Sequence, residues 1–145
     1  MLKVYTDGAS RGNPGLSGAG IVILDESGNI ICEEKQFLGV MTNNAAEYSA
    51  LILSLEAIRK LKHNKNQNLS VRFYSDSLLM VNQVTGKFKV KDLQLSKFHK
   101  EFLTTAKEMK LDFSAFHIPR NENKLADKLA NKAIDEREIQ QALEF

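Results

Sequence analysis

The stretch Tyr5-Thr6-Asp7-Gly8-Ala9-Ser10-Arg11-Gly12-Asn13-Pro14-Gly15 joins a strand-like segment to a glycine-rich one. Residues 2–7 alternate between two faces, which is the period-2 pattern of a β-strand, and Asp7 is expected to end that strand. The glycine-rich region from Gly8 to Gly20 contains the turn signal Asn13-Pro14-Gly15 and leads into the β-branched run 21–24. The stretch therefore predicts a strand that carries an acidic residue at its C-terminal end.

The next segment extends this pattern. Ser27-Gly28-Asn29 has the composition of a hairpin turn, and Ile30 to Leu38 is expected to form a third strand. Because short turns join neighbouring strands in opposite directions, the first third of the chain predicts an antiparallel meander.

A helix is predicted from Asn43 to about His63, because small and apolar residues recur every three or four positions on one stripe. These residues are Ala46, Ala50, Leu53, Ala57 and Leu61. A polar linker, 64–68, then leads to an alternating segment from Leu69 to Asp76. The strand–helix–strand order predicts that this fourth strand pairs in parallel with the first.

The rest of the chain predicts three more helices and one more strand. They are a short helix from Ser77 to Val84 closed by Gly86, a helix from Leu93 to Met109, a strand from Leu111 to His117, and a helix from Asn121 to about Ile134. The tail, 135–145, is expected to extend the last helix or to pack beside it. This order predicts an α/β fold, with a five-stranded mixed sheet and helices on both faces.

Length and composition limit the classes of protein that fit. A chain of 145 residues predicts one domain over residues 1–145, and a formal net charge of +2 gives no general field for a polyanion. The lone cysteine, Cys32, cannot form an intrachain disulfide, which favours a reducing, cytoplasmic setting. The first ten residues enter a strand pattern without the charged and apolar regions of a signal peptide, and no apolar run approaches the roughly 20 residues of a membrane-spanning helix. We therefore expect an unprocessed protein without a membrane partner, and we also expect a monomer.

Two aspartates close strands that are expected to be parallel neighbours. Asp7 ends the first strand, and Asp76 ends the fourth within Tyr74-Ser75-Asp76-Ser77. The C-terminal edge of an open α/β sheet is where ligands usually bind. Either residue alone is also explained by a turn, or for Asp76 by the N-cap of the following helix.

Two more acids are candidates for the same edge. Glu47 follows Asn44 at the spacing of a capping box, and Asp127 lies in the early turns of the last helix, where a negative charge favours the helix dipole. If all four acids met, their repulsion would have to be neutralised by cations. An all-oxygen ligand set favours Mg²⁺ or Mn²⁺ over Zn²⁺, although spacing alone does not show that the four converge.

Four segments, in this order along nearly the whole chain, resemble type 1 ribonuclease H. They are 5–15, Thr42 to Glu47, Tyr74 to Ser77, and His117 through Asn123 to Asp127. The resemblance implies the ribonuclease H fold with sheet order 3-2-1-4-5. It also implies a metal-binding catalytic tetrad of Asp7, Glu47, Asp76 and Asp127. The implied activity is endonucleolytic cutting of the RNA strand of an RNA–DNA hybrid by two Mg²⁺ ions, with Mn²⁺ as a substitute, leaving 5′-phosphate and 3′-hydroxyl ends.

The same resemblance implies a set of substrate contacts. Gly8, Asn13, Asn43 and Asn44 would touch the minor groove of the hybrid, and Thr42 would touch a phosphate of the DNA strand. Asparagine side chains suit base edges and 2′-hydroxyls because they carry both donors and acceptors. Asn13 and Asn43 are equally explained as a turn residue and a cap residue.

His117 matches a family histidine placed near the metals, and it is either a proton-exchanging group or a strand-end residue packed beside Pro119. His63 and His99 have the surroundings of ordinary surface residues. The chain has no Trp and too few residues between Asp76 and His117 for the extra helix and basic loop of many bacterial relatives. Lys87, Lys89 and Lys91 around Phe88 would then form either a reduced phosphate contact or, as we favour, a solvated loop.

Two other functions fit the same fold. One is a catalytically idle nucleic-acid-binding module, which the four intact acids disfavour, because pure binding gains nothing from negative charge beside a polyanion. The other is an integrase-like or exonuclease-like relative acting on DNA, which the asparagine-rich set disfavours. The sequence does not distinguish whether double-stranded RNA is also cut.

Overall fold

The computed structural model describes residues 1–62 and 67–144. Its elements are β1 (Leu2–Gly12), β2 (Gly15–Leu24), β3 (Ile30–Met41), α1 (Asn43–Leu61), β4 (Leu69–Ser75), α2 (Leu78–Val84), α3 (Leu93–Glu108), β5 (Leu111–His117), a short 3₁₀ turn (Arg120–Glu122) and α4 (Lys124–Leu143). His63 and the linker residues 64–66, for which the sequence predicts a helix end and a polar connection, lie outside the described residues.

The strands form one five-stranded sheet in the order β3-β2-β1-β4-β5. β1 pairs antiparallel with β2, and β2 with β3, whereas β4 lies parallel to both β1 and β5. The predicted fold and sheet order are therefore confirmed. Residues 85–92 alone join α2 to α3, which confirms the compact form without an additional helix.

Each face of the sheet has its own helical layer. We call the face that packs against α1 the inner face; Val4 and Phe73 point into it and are almost fully buried. We call the opposite face the outer face; α4 packs there over β1, β2 and β3. The alternation that the sequence shows in β1 and β4 thus separates a buried core side from a side that α4 covers only in part.

The structure differs most from the prediction in the glycine-rich region. Asp7 does not end the first strand: β1 continues to Gly12, and β2 already begins at Gly15, so that only Asn13 and Pro14, joined by a cis peptide bond, form the turn. A Cβ on Gly18 would lie 2.2 Å from the carbonyl oxygen of Ala130, and one on Gly20 would lie 2.0 Å from that of Ala126. These glycines are strand residues because α4 crosses them in backbone contact.

The end of β3 differs from prediction, and the structure shows which of the two alternatives for the tail is correct. β3 continues past Leu38 to Met41, because its end pairs with the beginning of β2. The tail extends the last helix, and α4 runs to Leu143 with its acidic residues paired to basic partners on the sheet, such as Asp135 with Arg11. No helix in the described ranges is both long and apolar enough to cross a membrane.

Candidate active site

Three acids from different elements meet at one edge of the sheet. One carboxylate oxygen each from Asp7, Glu47 and Asp76 lies within 4.8 Å of the others. Asp7 is on β1, and Asp76 follows the last residue of β4, which lies parallel to β1, so the strand pairing brings these two together. Glu47 comes from the second turn of α1.

Neither Glu47 nor Asp76 has the capping role that its sequence position allows. The N-cap of α1 is Thr42, whose hydroxyl accepts a hydrogen bond from the Ala45 amide at 3.2 Å, so the capping box of Asn44 and Glu47 is wrong. Ser77, not Asp76, caps α2. Both acids are therefore free for another role.

The backbone amide of Gly8 holds Glu47 in place. That amide donates a hydrogen bond to Glu47 Oε1, and the Glu47 side chain reaches it from a helix backbone that passes over Gly8. A Cβ on Gly8 would lie 2.2 Å from the carbonyl carbon of Ala46. Glycine at position 8 thus allows α1 to approach β1 closely enough to place its carboxylate beside Asp7.

Asp7 and Glu47 are buried beside other acids, and the positive charge near them does not balance their negative charge. Burial raises the pKa of Asp7 to about 8, and the negative charge of Asp76 and a hydrogen bond with Asp127 act in the same direction, against the positive charge of Arg120. Burial, and then the charge of Asp7, raises the pKa of Glu47 well above its usual range. Such a cluster ionises fully only beside a cation.

One oxygen at this edge has no partner in the protein. Asp76 Oδ2 is buried and accepts no hydrogen bond from the described residues. An unpartnered buried carboxylate oxygen is costly unless something else binds it. All the donors here are hard oxygens, and the residues therefore fit a divalent ion of the magnesium type.

Asp127 approaches the other three acids from the outer face. It lies in the first turn of α4, where it also suits the helix dipole, and it is close enough to Asp7 to contribute to the raised pKa of that carboxyl. The side-chain amide of Asn131 donates to Asp127 Oδ1 at 3.2 Å and to the Asp127 carbonyl at 3.0 Å. Asp127 is outside the set whose oxygens all lie within 4.8 Å of one another.

A cleft of about 720 Å³ surrounds these acids. It contains the four acids and three of the predicted substrate contacts, and its lining is Asp7, Gly8, Ala9, Ser10, Asn43, Asn44, Glu47, Asp76, Ser77, Arg120, Asp127 and Asn131. Asn43 and Asn44 are exposed at its rim, at the start of α1. Asn13, Thr42 and His117 do not line it.

Asn13 and Thr42 both support the start of α1. The side-chain carbonyl of Asn13 accepts a hydrogen bond from the Asn43 amide at 3.0 Å, while Thr42 caps the helix. Asn13 is thus a turn residue that also satisfies a helix amide, and Asn43 is the first helical residue and not the cap.

His117 is exposed at the end of β5, beside Ser75 of β4. The structure does not bring it into the cleft. The expectation for His99 is wrong: it is half-buried, and its Nε2 lies 3.1 Å from the carbonyl oxygen of Gln83. His63 lies outside the described residues.

Three residues of the site were not predicted from the sequence. Arg120 lines the cleft, Asn131 holds Asp127, and buried Asn123 donates from its side chain to the Thr6 carbonyl at 2.9 Å, which ties the start of α4 to β1. Asn131 lies four residues after Asp127, a spacing that places two side chains on one helix face. Arg120 and Asn123 have no such signal, because the turn after Pro119 positions them.

The lysine-rich connection is separate from the cleft. Lys87, Lys89 and Lys91 are exposed, and Phe88 is 49% exposed between them. This arrangement fits a solvated loop and also a loop free to contact phosphates.

The chain is similar to several known proteins along most of its length. A family model described as reverse transcriptase-like matches residues 5–133. Ribonuclease HI of Halobacterium salinarum is 38% identical over 93% of this chain, and a bifunctional protein of Mycobacterium tuberculosis is 37% identical over 92%. The chain spans 65% and 35% of the lengths of these two relatives. The crystal structure of the RNase H1 called LC11, in complex with an RNA/DNA hybrid, matches with a TM-score of 0.91 at 39% identity, covering 94% of this chain and 99% of that one.

Proposed function

Because this chain belongs to the type 1 ribonuclease H family, we propose that it is an endonuclease that hydrolyses the RNA strand of RNA–DNA hybrids. The observation that carries the proposal is the close group of buried Asp7, buried Glu47 and half-buried Asp76, with an unpartnered buried oxygen on Asp76. The hybrid bound by the LC11 relative, which is similar over nearly its full length, supports the choice of substrate.

Catalysis in this family depends on divalent metal ions. We propose that Asp7, Glu47, Asp76 and Asp127 hold two Mg²⁺ ions, and that Mn²⁺ can replace them. When bound, the ions would activate a water and stabilise the leaving oxygen of an in-line displacement. The protein contributes fixed positions: Gly8 orients Glu47, and Asn131 orients Asp127.

The reaction breaks one bond and forms one. Water adds to the phosphorus of the scissile phosphodiester, the bond to the 3′-oxygen breaks, and a proton moves to that oxygen, which leaves 5′-phosphate and 3′-hydroxyl ends. We propose that the imidazole of His117 exchanges protons with the departing product from the exposed end of β5. Arg120 lines the cleft, its positive charge lowers the pKa of Asp7, and its guanidinium is suited to a phosphate.

Substrate choice rests on the start of α1. We propose that Gly8, Asn13, Asn43 and Asn44 contact the minor groove, and that Thr42 contacts a DNA phosphate. Asn43 and Asn44 are exposed beside the cleft, and amide side chains can donate to and accept from the 2′-hydroxyls that mark the RNA strand. We further propose that residues 1–145 act as one monomeric domain in the cytoplasm.

Cleavage of matched duplexes tests the proposal. Uniform RNA–DNA, DNA–DNA and RNA–RNA duplexes of one sequence would be incubated with the protein in Mg²⁺ and in EDTA. We expect Mg²⁺-dependent cutting within the RNA strand of the hybrid. Binding without cutting would identify an idle module, and cutting of the DNA duplex would identify a DNA-directed relative.

A further inference from the structure

The outer face of the sheet is open over β4 and β5. α4 packs over β1, β2 and β3. On β4 and β5, Arg72, Ser114 and Phe116 point to the outer face and are exposed. The two neighbours of Arg72 in sequence, Val71 and Phe73, lie on the inner face and are 1% and 2% exposed. The same two strands therefore have one buried face and one face in contact with solvent.

Three aromatic side chains form a row across this open face. Tyr5, Tyr74 and Phe116 occupy paired positions on β1, β4 and β5. Their rings are stacked, with centroids 4.8 Å apart for Tyr5 and Tyr74 and 5.6 Å apart for Tyr74 and Phe116. Because β5 is the last strand of the sheet, Phe116 ends the row, and it is 44% exposed. The stack thus has a free aromatic ring at the sheet edge.

A pair of basic side chains lies beside the aromatic row. Lys3 and Arg72 are paired on β1 and β4, two residues before Tyr5 and Tyr74, which is about 7 Å along a strand. Neither takes part in the ion pairs found within residues 1–62 and 67–144. Two acids lie near this face. Glu122 is close to Tyr5, and Asp112 lies on β5 two residues before Ser114, the residue that pairs with Arg72.

We propose that this face binds a single-stranded nucleic acid, with one base stacked on Phe116 and backbone phosphates at Arg72 and Lys3. A base has a π-face whatever its identity, so stacking on an exposed ring tolerates any sequence, and adjacent basic groups attract the backbone. The face also adjoins the carboxylate cleft, since Tyr5 and Tyr74 lie two residues before Asp7 and Asp76. The site would hold an unpaired strand that continues from a duplex in the cleft, although binding itself does not depend on cleavage.

Fluorescence anisotropy tests the proposal directly. Labelled oligo-deoxythymidine and oligouridine would be titrated with the protein in EDTA, so that no strand is cut. Phe116→Leu retains apolar volume but removes the ring, and we expect it to raise Kd about tenfold, which corresponds to about 1.4 kcal/mol. Arg72→Ala should reduce the slope of log affinity against log salt by about 0.7, the value for one phosphate contact on a single strand.

Matched variants locate the site. Phe88→Leu removes a similarly exposed ring from the lysine-rich connection, and Lys100→Ala removes an exposed charge from α3. Both should bind the oligonucleotides like the parent, and Phe116→Leu should cut a blunt hybrid like the parent. Absence of oligonucleotide binding by the parent, or loss of binding in Phe88→Leu but not in Phe116→Leu, would overturn the proposal. So would a parent dimer that Phe116→Leu dissociates without any effect on oligonucleotides.

Discussion

The helices α1 and α4 reach the same edge of the sheet from opposite faces, and they deliver their acids in different ways. α1 passes over Gly8, and the Gly8 amide itself fixes Glu47, which is 8% exposed. α4 passes over Gly20, but Asp127 is held by Asn131 of its own helix and is less buried. One acid is fixed by a long-range backbone contact and the other by a local side chain. The carboxylate of Glu47 is therefore oriented by a distant part of the chain, whereas that of Asp127 is oriented by a local side chain on a helix that the sheet positions.

The largest expected effect comes from replacing Asp7, which lies beside Glu47 of α1 and Asp127 of α4. Asp7→Asn keeps the shape of the side chain but removes the charge that holds metal, so cleavage should fall by roughly 10³-fold or more. Thermal stability in EDTA should stay equal or rise, because repulsion from Asp76 is relieved. Melting curves and hybrid cleavage in Mg²⁺ measure both effects. Near-normal turnover would remove Asp7 from the active site.

A methyl group beneath α4 would test how rigidly that helix is placed. In Gly20→Ala the new Cβ would meet the Ala126 carbonyl, and we expect the free energy of unfolding to fall by about 3 kcal/mol, with displacement of Asp127. Urea unfolding measures the first effect, and cleavage under folding conditions the second. Gly8→Ala gives the matching experiment under α1. If Gly20→Ala were as stable as the parent, α4 would be free to move away from the sheet.

His117 is the last residue of β5 and directly precedes the turn that leads into α4. If it exchanges protons with the product, His117→Ala should slow single-turnover cleavage by roughly 10²-fold, with hybrid affinity and metal requirement unchanged. Its exposure predicts little effect on melting temperature. A variant that melts earlier yet cuts at the parental rate would show that His117 only packs at the strand end.

Asn131 isolates the local support of Asp127. Asn131→Ala removes the amide that donates to Asp127 Oδ1, and we expect the Mg²⁺ concentration for half-maximal cleavage to rise about tenfold. Calorimetric titration with Mg²⁺ gives a second measurement that does not depend on turnover. Gln141→Ala, an exposed position on the same helix, is the control. Equal metal requirements in the two variants would mean that Asp127 is oriented without Asn131.

The smallest effect concerns pH. Because the folded-state pKa of Asp7 is raised to about 8 from an ordinary 3.8, the unfolded chain ionises first, and stability is lost as pH rises between these values. In EDTA the parent should therefore lose more stability than Asp7→Asn between about pH 4 and pH 8. We expect the two losses of stability to differ by only about 1 kcal/mol, because Asp7 and Glu47 titrate together and Glu47 can keep a proton when Asp7 has lost its own. Parallel melting curves that do not diverge would contradict this.

The sequence predicts the meeting of Asp7 with Asp76, because hydrophobic periodicity identifies their strands and the strand–helix–strand order implies that these strands are parallel neighbours. The sheet order is implied by the resemblance to type 1 ribonuclease H. It does not predict that Gly18 and Gly20 are strand residues. Glycine indicates a loop unless the partner that needs the space is known, and here that partner is α4, more than 100 residues away in sequence.

The residues of the site differ in the same way, because some have a local sequence signal and others depend on a distant part of the chain. The contact of Glu47 with Gly8 spans 39 residues and competes, in the sequence, with a plausible capping box that the structure lacks. Arg120 enters the cleft only because the chain turns after Pro119 toward β1, where Asn123 bonds to Thr6. Such residues depend on tertiary placement and have no periodic pattern that could identify them.

The bonds of Arg11 have a consequence for the order of events during synthesis. Arg11 lies near the beginning of the chain, yet it binds the Asn131 carbonyl and the Asp135 carboxylate, which are 120 and 124 residues away. A ribosome makes the first four strands and the first three acids well before it makes α4, and contacts over such separations form late in folding. The nascent protein thus has Asp7, Glu47 and Asp76 before it has Asp127. The proposed nuclease activity should appear only when the last helix has emerged and closed over β2.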